Sequence, residues 1–295
     1  MKKTIFKGIA TALITPLTES GIDYDNFGRL IDWQIDEGID ALVVCGTTGE
    51  ASTLTDDEHR AAIEFAVKRA NKRVPIIAGT GSNDTGYALD LTRCANEAGV
   101  DGVLVVTPYY NKATQKGLIK MFESIADNST SPVILYNVPS RTGVNIEPST
   151  YKALADHENI VAIKEANGNI SKIVETMSLV EGKLDLYSGN DDQIVPLMAM
   201  GGIGAISVLS NLLPRKTKEI TTNFFNGNIK ESAKLQCELH ALIDALFCEV
   251  NPIPVKAAMA HMGYCENYLR LPLTTMDEVK CEKMLQLMRA QGLKV

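Results

Sequence analysis

Eight short apolar runs, each followed by a longer segment of mixed polarity, constrain this chain more than any other feature. They are Ile9–Ile14, Ala41–Cys45, Val74–Ala78, Gly102–Val106, Val133–Tyr136, Ile160–Ile163, Leu184–Tyr187 and Ile203–Val208. None alternates apolar with polar residues, so each suits a strand buried on both faces, as in a parallel sheet. The segments between them carry helical period. Phe27, Leu30, Ile31 and Ile35 fall on one helical face, with Gly38 placed to end that helix. Thr55-Asp56-Asp57-Glu58 reads as a capping box. Tyr87, Leu91 and Cys94 predict the packed face of a third helix ending near Gly99, and Pro148 suits the first turn of another.

A weak internal repeat fits the same scheme. Glu37-Gly38-Ile39-Asp40-Ala41-Leu42-Val43-Val44 returns as Ala98-Gly99-Val100-Asp101-Gly102-Val103-Leu104-Val105-Val106, and Gly201-Gly202-Ile203-Gly204-Ala205-Ile206 is a looser third copy. Eight strands alternating with helices predict an α/β fold, a (β/α)8 TIM barrel over residues 1–225. Residues 226–295 show only helical periodicity (Leu235, Leu239, Leu242, Ile243 and Leu246) and predict an appended C-terminal helical segment. A doubly wound open sheet is the alternative, disfavoured because no dinucleotide fingerprint accompanies the strands.

The formal net charge of −7 and the lack of a dense Lys/Arg run argue against a nucleic-acid surface. No signal-type apolar stretch follows the cationic start, and no window is apolar enough to span a bilayer, so a cytoplasmic protein is expected. The six cysteines form no C-x-x-C pair and the four histidines show no ligand spacing. Structural burial is expected for the cysteines, and neither a metal nor a cofactor is expected.

In such barrels the loops after the strands build the active site. Here they hold Gly46-Thr47-Thr48-Gly49-Glu50, Gly79-Thr80-Gly81-Ser82-Asn83, Thr107-Pro108-Tyr109-Tyr110-Asn111, Tyr136 through Gly143, Lys164 through Asn169, and Ser188-Gly189-Asn190-Asp191-Asp192. The first reads either as a cradle for a small anion or as an ordinary turn. The second resembles a phosphate loop only weakly. Tyr136 is either a packed aromatic or a proton carrier, and Arg141 either a surface charge or a grip for a carboxylate. Lys164 closes the run Ile160–Ile163. An amine held against apolar neighbours loses its proton more easily, and the neutral amine is the form that attacks carbonyls. The bland alternative is a strand-end lysine reaching solvent.

Taken together, Gly46–Glu50, Tyr136-Asn137-Val138-Pro139-Ser140-Arg141-Thr142-Gly143 and Ile163-Lys164-Glu165-Ala166 resemble the dihydrodipicolinate synthase family, Schiff-base aldolases of lysine and diaminopimelate biosynthesis. The similarity runs over almost the whole chain, including Val106–Asn111, Leu186–Gly189 and Asn251-Pro252-Ile253-Pro254-Val255-Lys256. The first and third motifs are shared with the wider pyruvate-lyase superfamily; Ser140-Arg141-Thr142-Gly143 is the more specific element. The resemblance implies condensation of pyruvate with L-aspartate 4-semialdehyde to 4-hydroxy-tetrahydrodipicolinate, without a cofactor. It implies an imine on Lys164 and proton transfer by Tyr136, coupled through Thr47 to a Tyr110 that reaches into a neighbouring subunit. Thr47 and Thr48 would hold the pyruvate carboxylate and Arg141 that of the semialdehyde. Gly189 and Ile206 would offer backbone groups around the lysine. A homotetramer built as a dimer of dimers is implied as well.

One departure concerns regulation. Asn83, His59 and Tyr109 match the set that binds lysine in feedback-inhibited members, but Asp56 replaces a basic side chain and Tyr87 a glutamate. Weak or absent inhibition by lysine is expected. Two rival readings remain at this level: a sibling lyase acting on N-acetylneuraminate or 2-keto-3-deoxy sugar acids, and a non-catalytic barrel that binds a metabolite.

Overall fold

The computed structural model describes residues 2–295. Every apolar run forms a strand: β1 (Gly8–Ala12), β2 (Ala41–Val44), β3 (Ile76–Gly79), β4 (Gly102–Val106), β5 (Val133–Asn137), β6 (Ile160–Glu165), β7 (Asp185–Ser188) and β8 (Gly204–Ser207). All neighbours pair in parallel and in chain order, and β1 closes the barrel by pairing with both β2 and β8. The run Val74–Ala78 begins its strand only at Ile76, since Pro75 has no N–H to donate to a ladder. β6 continues two residues past its apolar run, through Lys164 and Glu165. That extension brings a lysine and a carboxylate into the sheet itself.

Alternation along the strands divides the apolar residues between two cores. Ala10, Val43, Ile77, Leu104, Ile134, Ala162 and Ile206 fill the barrel interior. Ile9, Leu42, Val103, Leu135, Ile163 and Leu186 pack outward under the helices. Burying one such aliphatic side chain contributes about 1.5–3 kcal/mol.

A helix follows each strand: α1 (Tyr24–Asp36), α2 (Asp56–Ala70), α3 (Thr85–Ala98), α4 (Gln115–Asp127), α5 (Pro148–Leu154), α6 (Ile170–Val180), α7 (Ile194–Ala199) and α8 (Pro214–Phe225). Both arms of the Thr55–Glu58 capping box are formed, and Pro148 opens α5. In the two clearer repeat copies, Gly38 and Gly99 adopt left-handed φ of 83° and 86° after the helix, which a side chain would resist. The packed face of α3 is Ala88, Leu91, Thr92 and Ala95 rather than Tyr87, Leu91 and Cys94. Small residues at 88, 92 and 95 let the helix lie close to the barrel, turning Tyr87 and Cys94 aside.

Three further helices, α9 (Ile229–Leu246), α10 (Ile253–His261) and α11 (Glu278–Ala290), follow α8. Leu235, Leu239, Leu242, Ile243 and Leu246 are buried in the same contiguous core as the barrel's outer layer. Burial of all six cysteines is not what the fold gives: Cys45 and Cys265 are buried, while Cys237 and Cys248 are exposed. Cys237 lies opposite the packed face of α9, and Cys248 follows that helix's end. No helix among the described residues is long and apolar enough to cross a membrane.

Candidate active site

Register brings Lys164 and Tyr136 side by side. Tyr136 on β5 is level with Lys164 on β6, which is level with Tyr187 on β7. Level residues on parallel strands point the same way, so Lys164 and Tyr136 project together, while Glu165 and Asn137 project to the opposite face. Lys164 is 6% exposed, and its Nζ lies 4.2 Å from the centre of the Tyr136 ring. Loss of hydration brings its pKa down to about 7, with Arg141 acting in the same direction and Asp191 against it. A substantial fraction of the amine is therefore neutral near pH 7. The solvent-reaching alternative for this lysine does not apply.

Tyr136 is buried as well, and burial raises its phenol pKa, with Arg141 and Thr47 opposing. Thr47 lies close enough to oppose that rise, although no hydrogen bond of regular length and angle joins the two side chains. Tyr187 fills the barrel interior beside the lysine; its ring stacks on Phe6 at 4.2 Å and its hydroxyl donates to the Phe6 carbonyl.

The loop after β2 turns back on itself. Gly49 and Ala51 donate N–H bonds to the Gly46 carbonyl, and Glu50 donates to that of Thr47. Thr47 and Thr48 keep N–H groups without a protein acceptor among the described residues, as an anion cradle requires. The loop is anchored by a fully buried ion pair between Glu50 and Lys256 of α10. Arg141 sits in the single helical turn Pro139–Thr142, fixed by a 3.0 Å bond from the Thr107 hydroxyl to that of Thr142. Arg141 is exposed as a residue, and its Nη2 donates to the Asn251 carbonyl at 3.0 Å. Thr47, Tyr136 and Arg141 line one cavity of about 390 Å³. Lys164 is not among the lining residues; it meets the cavity through Tyr136.

The remaining expected residues divide. Ile206 lies in the barrel interior. The Gly189 N–H is bonded to the Glu165 carbonyl at 2.8 Å, leaving its own carbonyl as the group it has to offer. Tyr110 is not brought to the site by its own chain: it is 92% exposed, with a left-handed φ of 70° that turns it outward. The Gly79–Asn83 loop is no phosphate cradle. A side chain at Gly79 would meet the Cys45 carbonyl at 2.2 Å, and the Gly79 carbonyl is bonded to His59 Nε2 at 2.9 Å, so close packing accounts for that glycine.

Three buried polar residues make contacts that the sequence reading did not single out. Glu165 receives Asn137 Nδ2 at 3.0 Å, the Tyr151 hydroxyl at 2.9 Å and the Asn167 N–H at 2.9 Å, and burial pushes its pKa up to about 7. Asp191 accepts the N–H groups of Val208 and Leu209 on one oxygen, while its other oxygen is buried without a partner. Asn251 donates from Nδ2 to the Thr48 hydroxyl at 3.0 Å. Only the polar run Asn190-Asp191-Asp192, at a strand end, offered a signal for any of these contacts.

The expected effector residues lie beside this cavity, which His59, Tyr87 and Tyr109 line further along. Asn83 donates to the Tyr109 carbonyl at 3.1 Å, and the Tyr87 hydroxyl donates to the Asp56 carboxylate.

Residues 5–291 match the model of the dihydrodipicolinate synthetase family. A 4-hydroxy-tetrahydrodipicolinate synthase of Acetivibrio thermocellus is 55% identical, over 99% of this chain and all of the relative. The crystal structure of dihydrodipicolinate synthase from Aquifex aeolicus superposes with a TM-score of 0.96 at 45% identity, covering 98% of this chain and 99% of that one. A dihydrodipicolinate synthase variant characterised as the first monomeric one superposes with a TM-score of 0.96 at 41% identity, covering 98% of both chains.

Proposed function

The chain belongs to the dihydrodipicolinate synthetase family, and from that premise we propose that it condenses pyruvate with L-aspartate 4-semialdehyde to 4-hydroxy-tetrahydrodipicolinate, with Lys164 as the nucleophile. The observation that carries the reading is a buried amine with its pKa near 7, level with a buried tyrosine at the rim of the barrel.

The neutral Lys164 amine adds to the keto carbon of pyruvate, and loss of water gives the imine. Removal of a methyl proton turns the imine into an enamine, whose carbon attacks the aldehyde of the second substrate. The amino group of that substrate then displaces Lys164 from the imine carbon, closing the ring and freeing the lysine. Each stage moves a proton on or off oxygen or nitrogen, which is the role proposed for Tyr136 with Thr47 beside it. The cradle at Thr47 and Thr48 suits the pyruvate carboxylate. The Arg141 guanidinium, at the cavity wall and held by the Asn251 carbonyl, suits the carboxylate of the semialdehyde. Gly189 and Ile206 flank the lysine through their backbone.

Tyr110 enters this scheme only from a second copy of the chain, because within one chain it points to solvent. The working form under this reading is at least a dimer, and a dimer of dimers as the family resemblance implies. The enzyme would work in the cytoplasm, where small amino-acid precursors are made.

Borohydride reduction in the presence of pyruvate, followed by peptide mass mapping, tests the central step. A pyruvyl adduct on the Lys164 peptide is the expected result, together with turnover of the semialdehyde and no cleavage of N-acetylneuraminate. Absence of any adduct would overturn the reading.

A further inference from the structure

The segment joining α9 to α10 reaches back over the barrel rim, and Asn251 is its point of contact with the site. Its side chain is 6% exposed. Asn251 Nδ2 donates to Thr48 Oγ1 at 3.0 Å, and its carbonyl accepts Arg141 Nη2 at 3.0 Å. One residue therefore touches both carboxylate grips. The buried pair Glu50–Lys256 ties α10 to the same loop that carries Thr48, so the contact is held from both sides.

The direction of the Thr48 bond has a chemical consequence. A hydroxyl has one proton and two lone pairs. With one lone pair taken by Asn251 Nδ2, the Thr48 proton is left for another acceptor. The amide in its other orientation would present an oxygen, which would consume that proton. The observed orientation leaves Asn251 Oδ1 buried without a partner, a cost that a purely structural amide would avoid.

We infer that Asn251 is a positioning residue for pyruvate: it fixes Thr48 as a hydrogen-bond donor to the substrate carboxylate and, through its backbone, braces Arg141. This rests on the aldolase reading above. The side-chain bond serves Thr48 alone, so substitutions should act on pyruvate more than on the semialdehyde.

The experiment measures the pyruvate concentration that half-saturates the borohydride-trapped adduct, alongside steady-state constants for both substrates. In Asn251→Ala it should rise about ten-fold, the loss expected for a hydrogen bond to a charged group, with a much smaller change in the semialdehyde KM. Thr48→Ala should show a similar loss, and the double variant should be no worse than Thr48→Ala alone, because the two act as one unit. Asn251→Asp preserves shape and carries the same test where the alanine variant folds poorly. It accepts the Thr48 proton and adds a negative charge, so its pyruvate affinity should fall further. Unchanged half-saturation in the Asn251 variants, or losses that multiply in the double variant, would overturn the inference while the wild-type adduct stands. A wild type that forms no adduct overturns the aldolase reading first and this inference with it.

Discussion

Lys164 and Tyr136 occupy level positions on adjacent parallel strands, with the amine 4.2 Å from the centre of the tyrosine ring. The ring face favours the protonated amine, whereas burial favours the neutral one. Burial wins, since the pKa falls from 10.5 to about 7. The ring thus limits how far the amine is neutralised.

Adduct formation should follow the neutral fraction of Lys164, rising with pH up to about 7 and levelling above it. Stability should carry the same signature. Below pH 7 the lysine is protonated in folded and unfolded chains alike, and the full cost of burying a cation is present. Between 7 and the unfolded value of 10.5 only the unfolded chain holds the proton, so this cost fades as pH rises. Lys164→Met should therefore melt above the wild type, with the widest gap below pH 7. A variant that melts at or below the wild type at pH 6 would contradict the assigned cost.

Asp191 opposes that neutralisation, because its buried carboxylate raises the lysine's pKa. Asp191→Asn keeps the shape and removes the charge. The acid limb of the adduct-formation profile should move to lower pH, and an unmoved or raised limb would refute the coupling. A merely structural loss would lower the yield of active protein without shifting the profile.

The barrel was legible because each strand is a continuous apolar run, and Lys164 and Tyr136 because each interrupts or closes one. Thr47 and Arg141 were legible as chemistry at strand ends. The contacts that organise them were not. Glu50 meets Lys256 and Thr48 meets Asn251 across more than two hundred residues, and Arg141 meets the Asn251 carbonyl across 110. No local spacing encodes such pairings. Glu165 looked like an extension of the lysine motif, but alternation sends it to the opposite face of the sheet, where Tyr151 and Asn137 receive it.

Tyr110 offers a test of assembly. Being 92% exposed, it contributes little to the stability of its own chain, so Tyr110→Phe should melt as the wild type does. If it completes a neighbour's proton path, the same change should lower kcat roughly 10- to 100-fold, below the largest effects of a group that transfers the proton directly. Specific activity of the wild type should also fall on dilution as the oligomer dissociates, as sedimentation at matched concentrations would report. Full activity in a dissociated chain would remove Tyr110 from the mechanism.

The Glu50–Lys256 pair is buried to 1% and 0% side-chain exposure. Removing one partner strands the other charge away from water, so Lys256→Ala should lower unfolding free energy by about 3–5 kcal/mol. Glu50→Gln with Lys256→Met should cost less than either single change, because no charge is then left unpaired. Urea denaturation of Glu50→Gln, Lys256→Met and the double variant checks the order; a double variant weaker than both singles would contradict it.

The residues expected to meet a lysine effector lie beside the same cavity. A lysine effector would bring an ammonium group that needs an unpaired carboxylate. Asp56 already receives the Tyr87 hydroxyl and lies 3.6 Å from Arg60, which also pairs with Asp90. Burial lowers the pKa of His59, whose Nε2 is bonded to the Gly79 carbonyl, so it offers no cation for the effector's carboxylate at neutral pH. Lysine should therefore inhibit weakly or not at all, and strong inhibition at sub-millimolar lysine in a steady-state assay would sink this account. Tyr87→Glu combined with Asp56→His exchanges the departing pair for a free carboxylate and a basic side chain. That variant should gain sensitivity to lysine while pyruvate adduct formation stays as in the wild type, because neither residue touches Lys164 or the Gly46–Glu50 loop.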